Sequence, residues 1–113
     1  MHAEAGKLLW GARQAADRIE RFTSGKSFSD DRADDQLRSA SERQFKIIGE
    51  ALNQLARIDP SAAKTIPDLP RIFGFRNILI HGYATVDHRL VWGVIEGNLQ
   101  PLRTTLAHSL DQV

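Results

Sequence analysis

The chain has 113 residues, a formal net charge of +1 and no cysteine. It is sized for a single domain over residues 1–113, cannot form a disulfide, a thiolate metal site or a cysteine nucleophile, and will not be drawn to nucleic acid by bulk charge. Its 42% hydrophobic and 26% charged residues are those of a globular protein, the apolar runs are too short to cross a bilayer, and the start lacks the basic-then-apolar pattern of a leader, so the expected location is cytoplasmic.

Apolar residues recur at helical spacing from the start. Leu8, Leu9, Ala12, Ala15, Ala16, Ile19 and Phe22 form one stripe, while Lys7, Arg13, Asp17, Arg18 and Arg21 fall largely on other faces. Thr23-Ser24-Gly25-Lys26-Ser27 reads as a loop. Ser29 or Asp30 would then cap a second helix whose first turns carry Asp30, Asp31, Asp34 and Asp35, where the helix dipole favours negative charge. That helix is predicted from about Asp31 to Ile58, with Ala33, Leu37, Ala40, Ile47, Ile48, Ala51, Leu55 and Ile58 inward. It would span roughly 40 Å, more than a compact domain of this size needs, and the surplus surface invites a partner.

Asp59-Pro60 ends the second helix, because a residue before proline is pushed away from helical angles. Pro67-Asp68-Leu69-Pro70 opens a third carrying Ile72, Phe73, Phe75, Ile78 and Leu79, which ends near Gly82. Asp87 caps a fourth with Leu90, Val91, Val94, Ile95, Leu99, Leu102 and Leu106 inward, and Pro101 kinks or splits it. No strand and no repeat is legible. The expected fold is all-α, an antiparallel bundle of four to five helices. Leu37, Ile48, Leu55, Phe75, Leu79, Val91 and Ile95 are expected in its core.

Chemistry concentrates in Arg76-Asn77-Ile78-Leu79-Ile80-His81-Gly82-Tyr83, which contains the only tyrosine of the chain. A permanently charged fork that binds phosphate, a side chain that titrates near neutrality and a phenol stand within eight residues. On an ideal helix Arg76 and Tyr83 share a face, whereas His81 lies about 140° round from Arg76. Asn77 and His81, at i and i+4, also share a face, so the Asn77 amide could orient the imidazole. One straight helix therefore cannot converge all three charged or titratable groups. Either the helix ends before His81 and the chain turns at Gly82, or a second protomer completes the site across a two-fold cleft.

Those residue types suit cleavage of RNA, which carries its own nucleophile in the 2′-hydroxyl. A base must take that proton, an acid must protonate the leaving 5′-oxygen, and positive charge must stabilise the pentacoordinate phosphorus. Two histidines, one per protomer, could divide the acid and base roles, with arginine binding the phosphate oxygens. No metal or other cofactor is called for, and the histidines at 2, 81, 88 and 108 lack ligand spacing.

The pattern Arg76, four residues, His81, one residue, Tyr83 resembles the signature of HEPN-domain ribonuclease toxins of the HepT family. The resemblance extends to Ile47-Ile48-Gly49-Glu50-Ala51-Leu52-Asn53, to Ile66-Pro67, and to Val86-Asp87 with Leu90-Val91-Trp92. It covers about residues 19–102. It implies a homodimeric helical bundle with a composite, metal-independent endoribonuclease site, acting as the toxin of a type VII toxin–antitoxin pair. It also implies a partner, a MntA-type minimal nucleotidyltransferase antitoxin that transfers AMP from ATP onto the motif tyrosine, with assembly into a hetero-oligomer left open. Carried over by position, Arg76 and His81 are the catalytic pair and Tyr83 is the AMP acceptor; the supporting role of Asn77 rests on its shared helix face with His81. A catalytically silent helical module that serves a separate nucleotidyltransferase is the alternative on the same fold.

Outside the motif, plain structural roles are expected. Glu50 and Asn53 flank the core stripe of the long helix and read first as solvated positions. The Asp30–Asp35 cluster reads as a helix N-terminus rather than a metal site. Trp10 and Trp92 read as core or dimer-interface residues, and Arg13, Arg18, Arg21 and Arg43 as solvated side chains.

Overall fold

The computed structural model describes residues 3–82 and 85–112. Among them there are seven helices and no strand. The principal five are α1 (Ala3–Thr23), α3 (Asp35–Ile58), α5 (Leu69–His81), α6 (His88–Gly97) and α7 (Leu99–Asp111). Two short ones, α2 (Phe28–Ala33) and α4 (Pro60–Ala63), act as corners. The all-α expectation holds.

The pair α1 and α3 forms the centre. On α1, Ala5, Leu9, Ala12, Ala15, Ala16 and Ile19 are completely buried. Their 3–4 residue spacing makes one stripe, and its alanines let α3 lie close. In the same core, α3 buries Phe45, Ile48, Leu52 and Leu55, and Leu37 is buried nearer its start. Each large aliphatic side chain taken from water in this way contributes about 1.5–3 kcal/mol. α7 also packs on α1, and α5 packs on α3. Arg103 Nε donates to Asp17 Oδ1 at 2.8 Å, tying α7 to α1 across the edge of that contact.

The long helix predicted from Asp31 is broken at Asp34, which leaves helical angles at φ −122°, ψ 97°. Its carboxylate accepts from the Leu37 backbone N–H at 3.0 Å, so the residue that ends α2 also caps α3. Aspartate competes with the helix for nearby backbone donors, and here that competition wins. Ser27, rather than Ser29 or Asp30, caps α2: Asp30 N–H donates to its hydroxyl at 3.2 Å and Ser27 N–H donates to the Asp30 carboxylate at 2.9 Å. This reciprocal pair is a capping box. Hydrogen bonding to its carboxyl from the Ser27 backbone N–H, and then from the Ser27 side chain, holds Asp30 below the usual carboxylate range.

The ends of the other helices follow the sequence closely. Asp59 caps α4 through Ala62 N–H, and Asp87 caps α6 through Arg89 N–H. Asp68, with φ 63°, adopts the left-handed angle that starts α5, a conformation aspartate tolerates better than most residues. The expected fourth helix is split, but the break falls at Asn98, three residues before Pro101. Pro101 then sits in the first turn of α7, where its missing N–H would have no partner in any case.

Several inward positions are corrected. Ala33 and Ile58, each the last residue of its helix, are exposed. Leu90 is exposed and Phe75 only half-buried because α5 and α6 leave a groove between them. Ser41, Gln44 and Gly49 are buried on α3 although the apolar stripe omitted them. Trp92 joins the core, while Trp10 is 58% exposed.

Asp31 is buried on α2 near Arg38 and His88, and burial pushes its carboxyl above the usual carboxylate range against the pull chiefly of Arg38. A raised folded-state pKa means that ionising Asp31 costs stability as pH rises through the unfolded and then the folded value, and that the cost disappears in acid. Asp31→Asn should therefore raise the melting temperature at pH 7, with an advantage that shrinks towards pH values below about 3.8. A variant less stable than the parent at neutral pH would contradict this.

Candidate active site

Helix α5 carries the motif and leans on the bundle through one side only. Leu79 is its single fully buried residue. Phe75 meets Phe45 of α3 edge to face, with ring centroids 5.1 Å apart. Beyond that contact α5 remains apolar but uncovered: Ile78 is 46% exposed and Ile80 is also exposed. A groove of about 410 Å³ runs between α5 and α6–α7, floored by Ile48 and Leu99 and walled by Ile72, Phe75, Ile78 and Leu90. Leu90, at 44% exposure, stands on its rim instead of in the core.

His81 is the last residue of α5, and Gly82 caps the helix by donating its N–H to Ile78 O at 2.9 Å. A Cβ on Gly82 would fall 2.9 Å from that same carbonyl oxygen, so a side chain there would push the closing turn open. Thr85 N–H then donates to Gly82 O at 2.8 Å and turns the chain towards α6. Of the two arrangements the sequence allowed, the helix does not end before His81. Arg76 and His81 stay on one continuous helix about 140° apart. The fold thus leaves their side chains on different faces. His81 is exposed. Tyr83 lies outside the described residues.

Arg76 is held more firmly than a surface arginine usually is. Its Nη2 donates to Glu50 Oε2 on α3 at 2.6 Å, and its Nη1 donates to Asn77 Oδ1 at 3.4 Å. Its Nε is buried and has no partner among the described residues. Its aliphatic stem crosses Gly49, where a Cβ would come within 2.6–2.9 Å of three Arg76 methylene carbons. Glu50 is therefore not merely a solvated position. The Asn77 carbonyl oxygen meets Arg76, and no hydrogen bond joins Asn77 to His81 among the described residues. The signal that could have exposed this neighbourhood is Gly49 itself. Glycine in a helix interior costs about 1 kcal/mol relative to alanine and asks for a packing reason.

Among the described residues, no group of three or more histidines and carboxylates is arranged to hold a metal ion. No helix among them is long and apolar enough to cross a membrane.

A family model described as Ribonuclease HepT-like matches residues 12–108. The chain belongs to the HepT-like ribonuclease family. The match encloses both the Gly49-Glu50 step on α3 and the Arg76-to-His81 segment of α5. A Methanocaldococcus jannaschii protein provisionally named an RNase is 27% identical over 98 residues, covering 85% of this chain and 87% of its own length. A Caldanaerobacter subterraneus protein with a provisional RNase name is 38% identical over 77 residues, 68% of this chain and 67% of its own. A Thermococcus cleftensis protein provisionally named ribonuclease HepT is 31% identical over 93 residues, 80% of this chain and 81% of its own. No solved structure matches the chain significantly. Membership in the family and the helical architecture agree with the resemblance seen in the sequence.

Proposed function

We propose that this protein is a metal-independent endoribonuclease, the toxin of a cytoplasmic type VII toxin–antitoxin pair, with Arg76 and His81 as its catalytic pair. The observation that carries the reading is the uncovered α5 helix, which presents an anchored arginine and, five positions on, an exposed histidine in a HepT-like chain. In the reaction, an imidazole takes the proton of the ribose 2′-hydroxyl. The freed oxygen bonds to phosphorus, the bond to the 5′-oxygen breaks, and that leaving oxygen takes a proton from the second acid. The products are a 2′,3′-cyclic phosphate and a 5′-hydroxyl. Arg76 stabilises the extra negative charge on the non-bridging oxygens of the pentacoordinate phosphorus. Asn77, which already accepts from Arg76, supports the pair from the same helix.

A homodimer completes the site. Two faces of one helix cannot address one phosphate, and a second copy supplies the missing imidazole across a two-fold cleft. The apolar surface of α5 and the groove beside it, with Ile78, Ile80 and Leu90 open to solvent, suit such a neighbour. The expected buried area is well above ~1,000 Å². A MntA-like nucleotidyltransferase antitoxin silences the enzyme by transferring AMP from ATP to the phenol of Tyr83. The phenolic oxygen attacks the α-phosphorus, pyrophosphate leaves and the phenolic proton is released. The added phosphodiester then competes with RNA for Arg76 by direct electrostatics.

His81→Ala and Arg76→Ala should each lower RNA cleavage by about 10²- to 10⁴-fold while leaving the helical circular-dichroism spectrum unchanged. Retained cleavage in either variant removes that residue from the catalytic pair. Light scattering at micromolar concentration should report twice the chain mass, and a monomer there sinks the composite site. Incubation with ATP and the nucleotidyltransferase should add one or more AMP masses to the peptide containing Tyr83 and abolish activity. Undiminished addition to Tyr83→Phe would refute the switch without touching the ribonuclease.

A further inference from the structure

The proposed chemistry needs Arg76 in one orientation, yet arginine is among the most flexible side chains and α5 touches the bundle on one side only. Two consecutive residues of α3 supply the missing constraint. Gly49 offers a floor with no side chain, on which the Arg76 methylenes lie so closely that a Cβ would overlap Cβ, Cγ and Cδ at 2.6–2.9 Å. Glu50, next in sequence, takes the guanidinium at 2.6 Å. The stem is thereby fixed at its middle and its tip by neighbours on one rigid helix. We infer that Gly49 and Glu50 form a positioning device that presents the Arg76 guanidinium to the scissile phosphate, an assignment that rests on the ribonuclease reading above.

Stability alone gives a poor account of the pair. The Glu50 side chain is 44% exposed and that of Arg76 23%, and ion pairs open to solvent add little to folding. Glycine within α3 is unfavourable for the helix itself. Geometry is where both choices have an effect. A monodentate carboxylate on Nη2 leaves Nη1 only weakly engaged, by Asn77 at 3.4 Å. The guanidinium tip thus keeps donor capacity for phosphate oxygens while the plane of the fork is held. Pre-organising such a donor matters because displacing a reacting or stabilising group by about 1 Å can cost of the order of 10²-fold in rate.

The test uses the full chain, a fluorescent oligoribonucleotide of mixed sequence, and the same oligonucleotide with 2′-deoxyribose as an uncleavable probe. Glu50→Ala should lower kcat about 10- to 100-fold without weakening binding of the deoxy probe, since removing the carboxylate also removes a competitor for Arg76. Glu50→Gln, which keeps an acceptor oxygen at the same reach, should recover most of that loss. Gly49→Ala should lower kcat comparably while the helical circular-dichroism spectrum stays that of the parent. Nuclear magnetic resonance of the Arg76 Nε–H gives a readout independent of cleavage: it should be ordered and slow to exchange in the parent and mobile in Glu50→Ala. An Arg76 signal equally ordered in both, or a Glu50→Ala enzyme with kcat within twofold of the parent, overturns the assignment. A parent chain that leaves RNA intact but loses Arg76 order in Glu50→Ala instead defeats the ribonuclease reading and keeps the anchor.

Discussion

Everything at the site depends on how closely α5 can lie on α3. The bundle holds α3 firmly, because α1 offers it a stripe of buried alanines and leucine and α7 packs on α1 in turn. α5 has no such support. It rests on α3 through Leu79, through the edge of Phe75 on Phe45, and through the stem of Arg76 on Gly49. A larger residue at Gly49 would lift the helix or expel the arginine, and either would move the one guanidinium that α5 presents beside its histidine. Close-packed interiors do not absorb such volume without shifting a neighbour.

The same one-sided support explains why the functional face is open. α5 is apolar nearly all round, a pattern that belongs to a buried helix, yet α6 and α7 stop short of it and leave a groove. In the dimer we propose, that exposed surface becomes an interface and the separation of Arg76 from His81 becomes useful. Each protomer contributes different faces of its own helix to a shared cleft. Catalysis would then depend on association, and protein concentration would govern both.

Much of this was legible in the sequence, and the failures have identifiable causes. Periodicity predicted the helical fold and the α1 stripe, and Asp59, Pro60 and Asp87 marked helix ends because their local chemistry acts whatever the tertiary context. Asp34 is hidden as a break because the dipole argument that places acids in a first turn is indifferent to which of the four aspartates between residues 30 and 35 leaves the helix. Leu90 and Phe75 were assigned to the core because an apolar stripe shows that a face wants burial, not that this chain provides it. Glu50 was read as solvated because its partner lies 26 residues away on another helix. A glycine beside it was the available sign. The motif itself stands out in the sequence because a permanently charged fork, a side chain that titrates near neutrality and a phenol are gathered within eight residues.

The central claim is that RNA is cleaved by side chains acting through the ribose 2′-hydroxyl. End-group analysis of RNA digested by the purified chain in EDTA tests it most directly. The account predicts fragments ending in 2′,3′-cyclic phosphate with 5′-hydroxyl partners, formed at the same rate with and without the chelator. Cleavage that requires Mg²⁺, or fragments bearing 5′-phosphates, would contradict it.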